Sequence, residues 1–415
     1  MVISKDLTII IFMTTEFTYD IIMKKIYYIY AYKKGDQTKM PPINFLIKPA
    51  SSGCNLKCNY CFYRSIAESR QVTSYGIMSE DTLEAIVAKG LQYADQMCSF
   101  TFQGGEPTLA GLAFFKKLIT LEQKYNIKKV KISNSLQTNG LLIDEDWARF
   151  LHDNDFLVGL SLDGPSEIHN LHRVDCNKNG SFSRVMKAAR LFDRFNVEYN
   201  ILSVVTNNSC RFSGKIYDFF KKSGFKYLQF IPCLDPLGTE NGQLAYSLKP
   251  NDFERFLKCL FDKWYDDFIK GDYISIRYFD NLVHMINGQR AEACSMTGVC
   301  QCNCVIEADG GLYPCDFYVF DEWKLGNITE NSIKEMIESN TAKSFIKSSE
   351  IISEDCKNCE WFQLCRGGCR RECEPLLDNQ SRSNYFCSAY KSFFEYAYSR
   401  LSHVANIVMS NGRLS

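Results

Sequence analysis

From Ile43 to about Asp235 the chain alternates short apolar runs with longer amphipathic stretches. Six runs read as strands: Asn44–Lys48, Ser99–Gln103, Val130–Gln137, Phe156–Ser161, Glu198–Val205 and Tyr227–Ile231. Between them, apolar residues recur at helical spacing over Ser79–Met97, Leu112–Tyr125, Glu145–Asn154, Ser181–Phe195 and Arg211–Ser223. Strands that alternate with helices predict an α/β fold of repeated β/α units around a parallel sheet. After Pro236 a Gly-, Glu- and Asn-rich stretch, Leu237–Gln243, marks a boundary. Asn251–Lys270 then reads as a helix with Phe, Leu and Trp on one face, and Ile274–Gly288 as a strand followed by a helix.

The first 39 residues have a different pattern. Leu7–Met13 is apolar but too short to span a bilayer, and Glu16, Asp20, Lys24 and Lys25 break up the stretch after it. Met40 begins a segment that runs straight into the first strand. The favoured reading is therefore that residues 1–39 are an extension outside the natural product. The expected organisation is 1–39 extension, 40–236 β/α domain, 237–290 connector, 291–390 cysteine-rich domain and 391–415 C-terminal helix and tail.

Composition narrows the function classes. A chain of 415 residues is long enough for two domains with separate cores. Lys plus Arg and Asp plus Glu balance at 48 each, so no global field favours nucleic acid or an anionic membrane, and neither is expected as a partner. Nineteen cysteines are many, yet no secretory signal with a small-residue cleavage site is evident. Their C-x2-C clustering fits metal ligation better than disulfide pairing. A reducing, anaerobic cytoplasm is the expected setting.

The first cluster of cysteines is Cys54, Cys58 and Cys61, spaced C-x3-C-x2-C. Three soft thiolates can hold three corners of a [4Fe–4S] cube and leave the fourth iron without a protein ligand. An open metal position can bind a substrate. Zinc would want a fourth Cys or His nearby, and residues 62 to 75 supply neither. One β/α unit later comes Gln103-Gly104-Gly105-Glu106-Pro107. Its glycines allow a ligand close to the backbone, and Glu106 offers a carboxylate to an ammonium group. A second field holds Cys294, Cys300, Cys315, Cys356, Cys359, Cys365, Cys369 and Cys387, eight thiols that can close two further clusters. On spacing alone structural zinc remains an alternative there. Cys302 and Cys304 compete with Cys300, which is preferred for its spacing from Cys294. Cys98, Cys176, Cys210, Cys233, Cys259 and Cys373 read as small hydrophobes or bystanders.

The first triad, with Tyr60 before its last cysteine, resembles the signature of radical S-adenosylmethionine (SAM) enzymes. That resemblance implies a partial (β/α)6 TIM-like barrel, with its chemistry at the carboxyl ends of the strands. It also implies SAM held near Tyr60, Gln103, Gly104, Gly105, Glu106, Ser161, Arg173 and Leu234. The second field resembles the SPASM extension, whose last C-x3-C cysteine crosses to the other cluster. Cys294, Cys300, Cys315 and Cys369 would then hold one auxiliary [4Fe–4S] cluster, and Cys356, Cys359, Cys365 and Cys387 the other.

Lys48–Cys54, Gln103–Gly111, Ser135–Gly140 and Tyr313–Tyr318 together resemble anaerobic sulfatase-maturating enzymes, over essentially Met40 to Ala405. The resemblance implies oxidation of one Cys or Ser, in a Cys/Ser-x-Pro-x-Arg motif of an unfolded or nascent sulfatase, to Cα-formylglycine. A 5′-deoxyadenosyl radical would take the Cβ hydrogen, Asp316 would act as base, and Tyr63 and Gln103 would line the substrate cleft. An electron donor such as ferredoxin or flavodoxin is a further expected partner. Two other readings are another SPASM peptide maturase, for example one forming thioether cross-links, and a non-catalytic iron–sulfur or zinc protein. The first commonly needs a peptide-binding domain for which residues 1–39 are too short. The second leaves the incomplete triad and the Gly-Gly-Glu loop without a role.

Overall fold

The computed structural model of the chain describes residues 42–374 and 384–412, so the reading of residues 1–39 lies outside the described residues. Six parallel strands build its centre: β1 (Ile43–Ile47), β2 (Met97–Phe102), β3 (Lys131–Thr138), β4 (Leu157–Ser161), β5 (Tyr199–Val205) and β6 (Tyr227–Pro232). Their alternation sets which side is buried. In β1, Ile43, Phe45 and Ile47 enter the core while Asn44 faces out, and in β2 Cys98, Phe100 and Phe102 do the same. Phe45 pairs in register with Phe100, and their rings stack at 5.9 Å.

Helices cover the strands: α1 (Phe62–Glu68), α2 (Glu80–Tyr93), α3 (Leu112–Tyr125), α4 (Glu145–Asp153), α5 (Phe182–Phe195) and α6 (Ser213–Lys222). The helix expected over Ser79–Met97 is shorter than its pattern. Ser79 caps its start by accepting from the Thr82 amide, but it ends at Tyr93 and Met97 already opens β2. Leu91, Ala94 and Cys98 keep helical spacing across the junction, so periodicity alone runs past the turn. Gly90 lets α2 lie against β1, since a Cβ there would come within 2.7 Å of the Phe45 ring.

The sheet does not stop at the expected domain boundaries. A two-residue strand from the connector, β7 (Ser275–Ile276), extends the sheet beyond β6. On the other edge β8 (Val305–Ile306), from the cysteine-rich region, pairs parallel to β1 and leads antiparallel into β9 (Gly311–Tyr313) and β10 (Gly326–Asn327). The order is β10-β9-β8-β1-β2-β3-β4-β5-β6-β7. Three more helices, α7 (Pro250–Ile269), α8 (Arg277–Ile286) and α9 (Cys387–Gly412), pack through Phe261, Trp264, Phe279 and Phe393. Among the described residues no helix is long and apolar enough to cross a membrane.

Candidate active site

The triad sits on the loop that leaves the carboxyl end of β1. The Lys57 amide donates to the Val174 carbonyl (2.7 Å) and the Asn59 amide to the His172 carbonyl (3.1 Å), tying the loop to the segment after β4. Cys54 is exposed, and Cys58 and Cys61 are half-buried. Loss of water around its sulfur, with Glu106 and the other two thiols adding to it, pushes Cys54 up to about 12 although the residue as a whole is exposed, and burial pushes Cys58 up to about 11. Such thiols stay neutral until a bound cation compensates their charge. Cys54 Sγ also receives the Leu56 amide (3.4 Å) and Asn139 Nδ2 (3.8 Å), donors suited to a cluster-bound sulfur.

The Gly-Gly-Glu loop closes directly on this segment. The Gly105 amide donates to the Ser51 carbonyl (3.0 Å) and the Glu106 amide to that of Gly53 (2.7 Å). A Cβ on Gly105 would lie 2.0 Å from the Gly53 oxygen, so the two backbones touch only because that residue has no side chain. Gly104 takes φ +126°. Glu106 is buried and accepts four hydrogen bonds, from the Thr108 amide, the Thr108 and Thr138 hydroxyls, and the Asn139 amide. Burial raises its carboxyl more than these donors lower it. The side chain therefore organises the loop, and an ammonium ligand would fall to Oε2, which carries one of the four bonds.

A buried polar group the sequence reading missed stands beside the triad. Asp163 follows β4 and receives Arg173 Nε (2.9 Å), the Tyr60 hydroxyl and the Val204 amide (3.0 Å). Burial would raise its carboxyl, but the Arg173 charge holds it below the ordinary range. Arg173, considered in the sequence as an isolated position, is thus buried and fixed by a counterion. Its guanidinium lies 5.6 Å from the Tyr60 ring. The Asp in Ser161-Leu162-Asp163-Gly164, at a strand end, was the available signal. Ser161 ends β4 and is buried. Leu234 is half-buried just past β6, packed against the core, and brings only an apolar surface.

Asp316 comes from the cysteine-rich region, immediately after Cys315 and β9. Its Oδ2 accepts from the Tyr63 hydroxyl (2.5 Å) and Gln103 Nε2 (2.7 Å), and Gln103 Nε2 also reaches the Tyr63 oxygen (2.5 Å). Lys48 Nζ lies 3.0 Å from Oδ1. Burial first, then the Asp316 charge, raise the Tyr63 phenol well above its ordinary value, so Tyr63 stays a donor. One carboxylate from the second domain is thus gripped by the ends of β1 and β2 and by α1.

The second cysteine field divides into two neighbourhoods. Burial raises the Cys315 thiol, with Cys300 and Cys294 adding to it, and burial likewise raises Cys369, whose neighbours include Cys315 and Cys300. Burial pushes Cys365 up to about 12, with Cys387 and Cys356 among its neighbours, and Cys387 in turn feels Cys356 and Cys359. Cys369 therefore lies with the first group although its chain neighbours lie with the second. Cys302 and Cys304 interact with each other, and Cys304 is buried in the core. Among the described residues no three Cys, His, Asp or Glu side chains converge on a single-ion site. A tetrahedral zinc would need sulfurs within about 4 Å of one another, given its bond length of about 2.3 Å. Cys98, Cys210, Cys233 and Cys373 are buried, while Cys176 and Cys259 are exposed.

Comparison with known proteins agrees with this architecture. Residues 49–209 match the radical SAM superfamily, and residues 294–360 match the SPASM iron–sulfur cluster-binding domain. The cysteine-type anaerobic sulfatase-maturating enzyme of Clostridium perfringens strain 13 is 57% identical over 88% of this chain and 99% of its own length. The serine-type enzyme of Bacteroides thetaiotaomicron is 31% identical over 86% of this chain and 89% of its own. The solved structure of native anSMEcpe with bound AdoMet and Cp18Cys peptide superposes with a TM-score of 0.86 and 55% identity, covering 89% of this chain and all of that one. The six parallel β/α units are therefore a radical SAM barrel, and residues 294–360 form a SPASM domain. The chain belongs to the anaerobic sulfatase-maturating enzymes.

Proposed function

We propose that this chain oxidises a cysteine in a Cys-x-Pro-x-Arg motif of a sulfatase to Cα-formylglycine. The observation that carries the reading is the Asp316 carboxylate, held by Tyr63 and Gln103 beside the barrel end that bears the cysteine triad. The choice of cysteine over serine rests on the higher identity to the cysteine-type relative. Cys54, Cys58 and Cys61 would hold the SAM-binding [4Fe–4S] cluster. Cys294, Cys300, Cys315 and Cys369 would hold one auxiliary cluster, and Cys356, Cys359, Cys365 and Cys387 the other. When bound, SAM and the clusters supply a 5′-deoxyadenosyl radical, which removes the substrate Cβ hydrogen, and an acceptor for one electron.

The chain's own residues handle orientation and the proton. Backbone around Gly104 and Gly105, with Arg173 fixed by Asp163, would seat the amino-acid end of SAM. Tyr63 and Gln103 donate to Asp316 Oδ2, Lys48 lies against Oδ1, and this carboxylate would take the substrate S–H proton. Loss of a hydrogen atom, a proton and an electron leaves a thioaldehyde, which water hydrolyses to the aldehyde. A positioned base of this kind contributes about 10²–10⁴-fold. A reduced ferredoxin or flavodoxin would feed electrons, in a cytoplasm that keeps thiols reduced.

Mass spectrometry of a Cys-x-Pro-x-Arg peptide and its Ser twin, after anaerobic incubation with SAM and reductant, tests the reading. Aldehyde formed with matching 5′-deoxyadenosine, faster for the Cys peptide, is the expected result. Deoxyadenosine with both peptides unchanged would overturn the substrate. Asp316→Asn is expected to lower aldehyde yield at least 10²-fold with clusters intact, and full yield would remove Asp316 from the role of base.

A further inference from the structure

Lys48 is the last polar residue on the carboxyl end of the first strand, and the chemistry above gives it no part. It is only 3% exposed. Lysines are almost never that buried unless paired, because an uncompensated ammonium in a low-dielectric interior is costly. Its partner is a single atom, Asp316 Oδ1, at 3.0 Å. The same ammonium lies 4.6 Å from the centre of the Tyr63 ring, over its negative face. Oδ1 itself is buried and receives no directed hydrogen bond among the described residues. The Lys48 contact is thus an ion pair rather than an aimed donor.

The two carboxylate oxygens are treated differently. Oδ2 is occupied by the Tyr63 hydroxyl and Gln103 Nε2. Oδ1 faces a cation whose ammonium has three donors and no acceptor, so Lys48 cannot itself take a proton. What the ammonium can do is hold the carboxylate in one orientation. We propose that Lys48 is a positioning residue for the oxidation, acting through Asp316 to couple removal of the Cβ hydrogen to removal of the thiol proton. This rests on the reading of Asp316 as proton acceptor. The step is balanced by that chemistry: the S–H bond breaks, its proton goes to the Asp316 carboxylate, and one electron leaves to the electron acceptor. Without Lys48 the carboxylate can rotate away from the thiol. The substrate radical is then quenched by one electron from the reductant in the assay and one proton from water, instead of going on to product.

The test uses cluster-loaded Lys48→Met and Lys48→Arg with a Cys-x-Pro-x-Arg peptide deuterated at Cβ. Three quantities are read: aldehyde formed per 5′-deoxyadenosine, deuterium carried into deoxyadenosine, and peptide affinity. For Lys48→Met the expected result is deoxyadenosine within about threefold of the parent, deuterium still transferred, and peptide affinity within about twofold. Aldehyde per deoxyadenosine should fall at least tenfold (about 1.4 kcal/mol). Lys48→Arg should restore at least half of the coupling, because it returns the charge. An unchanged ratio in Lys48→Met, whether both products fall together or neither changes, overturns the proposal in favour of a static brace. Lys48→Gln gives the same ratio if the Met variant does not load clusters. Failure of both to load would place Lys48 in the fold and overturn the proposal too. Asp316→Asn separates the two ideas. If it stays coupled, the base assignment falls; if it uncouples while Lys48→Met does not, only the role of Lys48 falls.

Discussion

Asp163 is buried between a guanidinium, a phenol and a backbone amide, and the guanidinium and the phenol lie beside the cysteine triad. Its removal leaves the Arg173 charge uncompensated in the interior, where breaking such a pair is worth about 3–5 kcal/mol. Asp163→Asn should therefore weaken SAM binding at least tenfold while the triad still assembles iron, measured by equilibrium dialysis beside the visible spectrum. Unaltered affinity would detach Arg173 from the cofactor. The neighbouring His169 carries a pH effect. Burial lowers it to about 4, and it remains neutral with Nδ1 accepting from the Asp163 amide and Nε2 donating to Ser181 Oγ. A depressed histidine binds its proton in the unfolded chain first. Its stabilising contribution is present above about pH 6.5 and is lost as the pH falls towards 4. Thermal melts should show a drop across that window, reduced in His169→Gln. Neither role could be read from periodicity, because Tyr60 and Val204 reach Asp163 from other β/α units and the partners of His169 lie in the irregular connection after β4.

At the scale of elements, the loop after β2 works because two backbones meet without a side chain between them. Gly105→Ala puts a Cβ 2.0 Å from the Gly53 carbonyl oxygen, and backbone cannot move aside as a flexible side chain can. The loops must separate, at a cost of about 1–3 kcal/mol. The expected result is a lowered melting temperature and loss of 5′-deoxyadenosine formation. Retained formation would show that the loop does not set the SAM site. The glycine pair was legible as chemistry, whereas its contact with the triad loop was not. Strand positions were legible within a few residues because buried positions alternate, as in Ile43, Phe45 and Ile47. The end of α2 was not, since the apolar spacing continued into β2 through Cys98.

Across the whole molecule, the barrel and the cysteine-rich region are held together by continuous hydrogen bonding and buried charge. β8 extends the sheet at β1, and just beyond it Glu307 accepts from Ser51 Oγ (2.6 Å) and pairs with Arg70 (3.1 Å), both side chains almost fully buried. Ser51 also supplies the carbonyl that receives Gly105. Glu307→Gln should destabilise the protein by about 3–5 kcal/mol, because Arg70 loses its charge partner, and Glu307→Gln/Arg70→Met should be less severe than the single change. A melt of the parent, both single variants and the double decides this, with equal stability of Glu307→Gln and parent contradicting it.

Cysteine spacing and strand periodicity are properties of short stretches of covalent chain. For that reason the sequence by itself determined the incomplete triad, the cysteine-rich second field and the repeated β/α units. Partnership between distant residues has no such local record. In the tertiary structure Cys300 neighbours Cys315 and Cys369, the grouping the SPASM resemblance implies, while Cys302 turns to Cys304. The tertiary structure alone decided that Lys48, the residue after β1, meets Asp316 from the second domain, and that Asp163 meets Tyr60, 103 positions away. Buried charges and hydrogen-bonding groups must find partners wherever the fold brings them. Which partner each one finds depends on the register of the sheet, where β1 accepts β8 from the second domain as its neighbour.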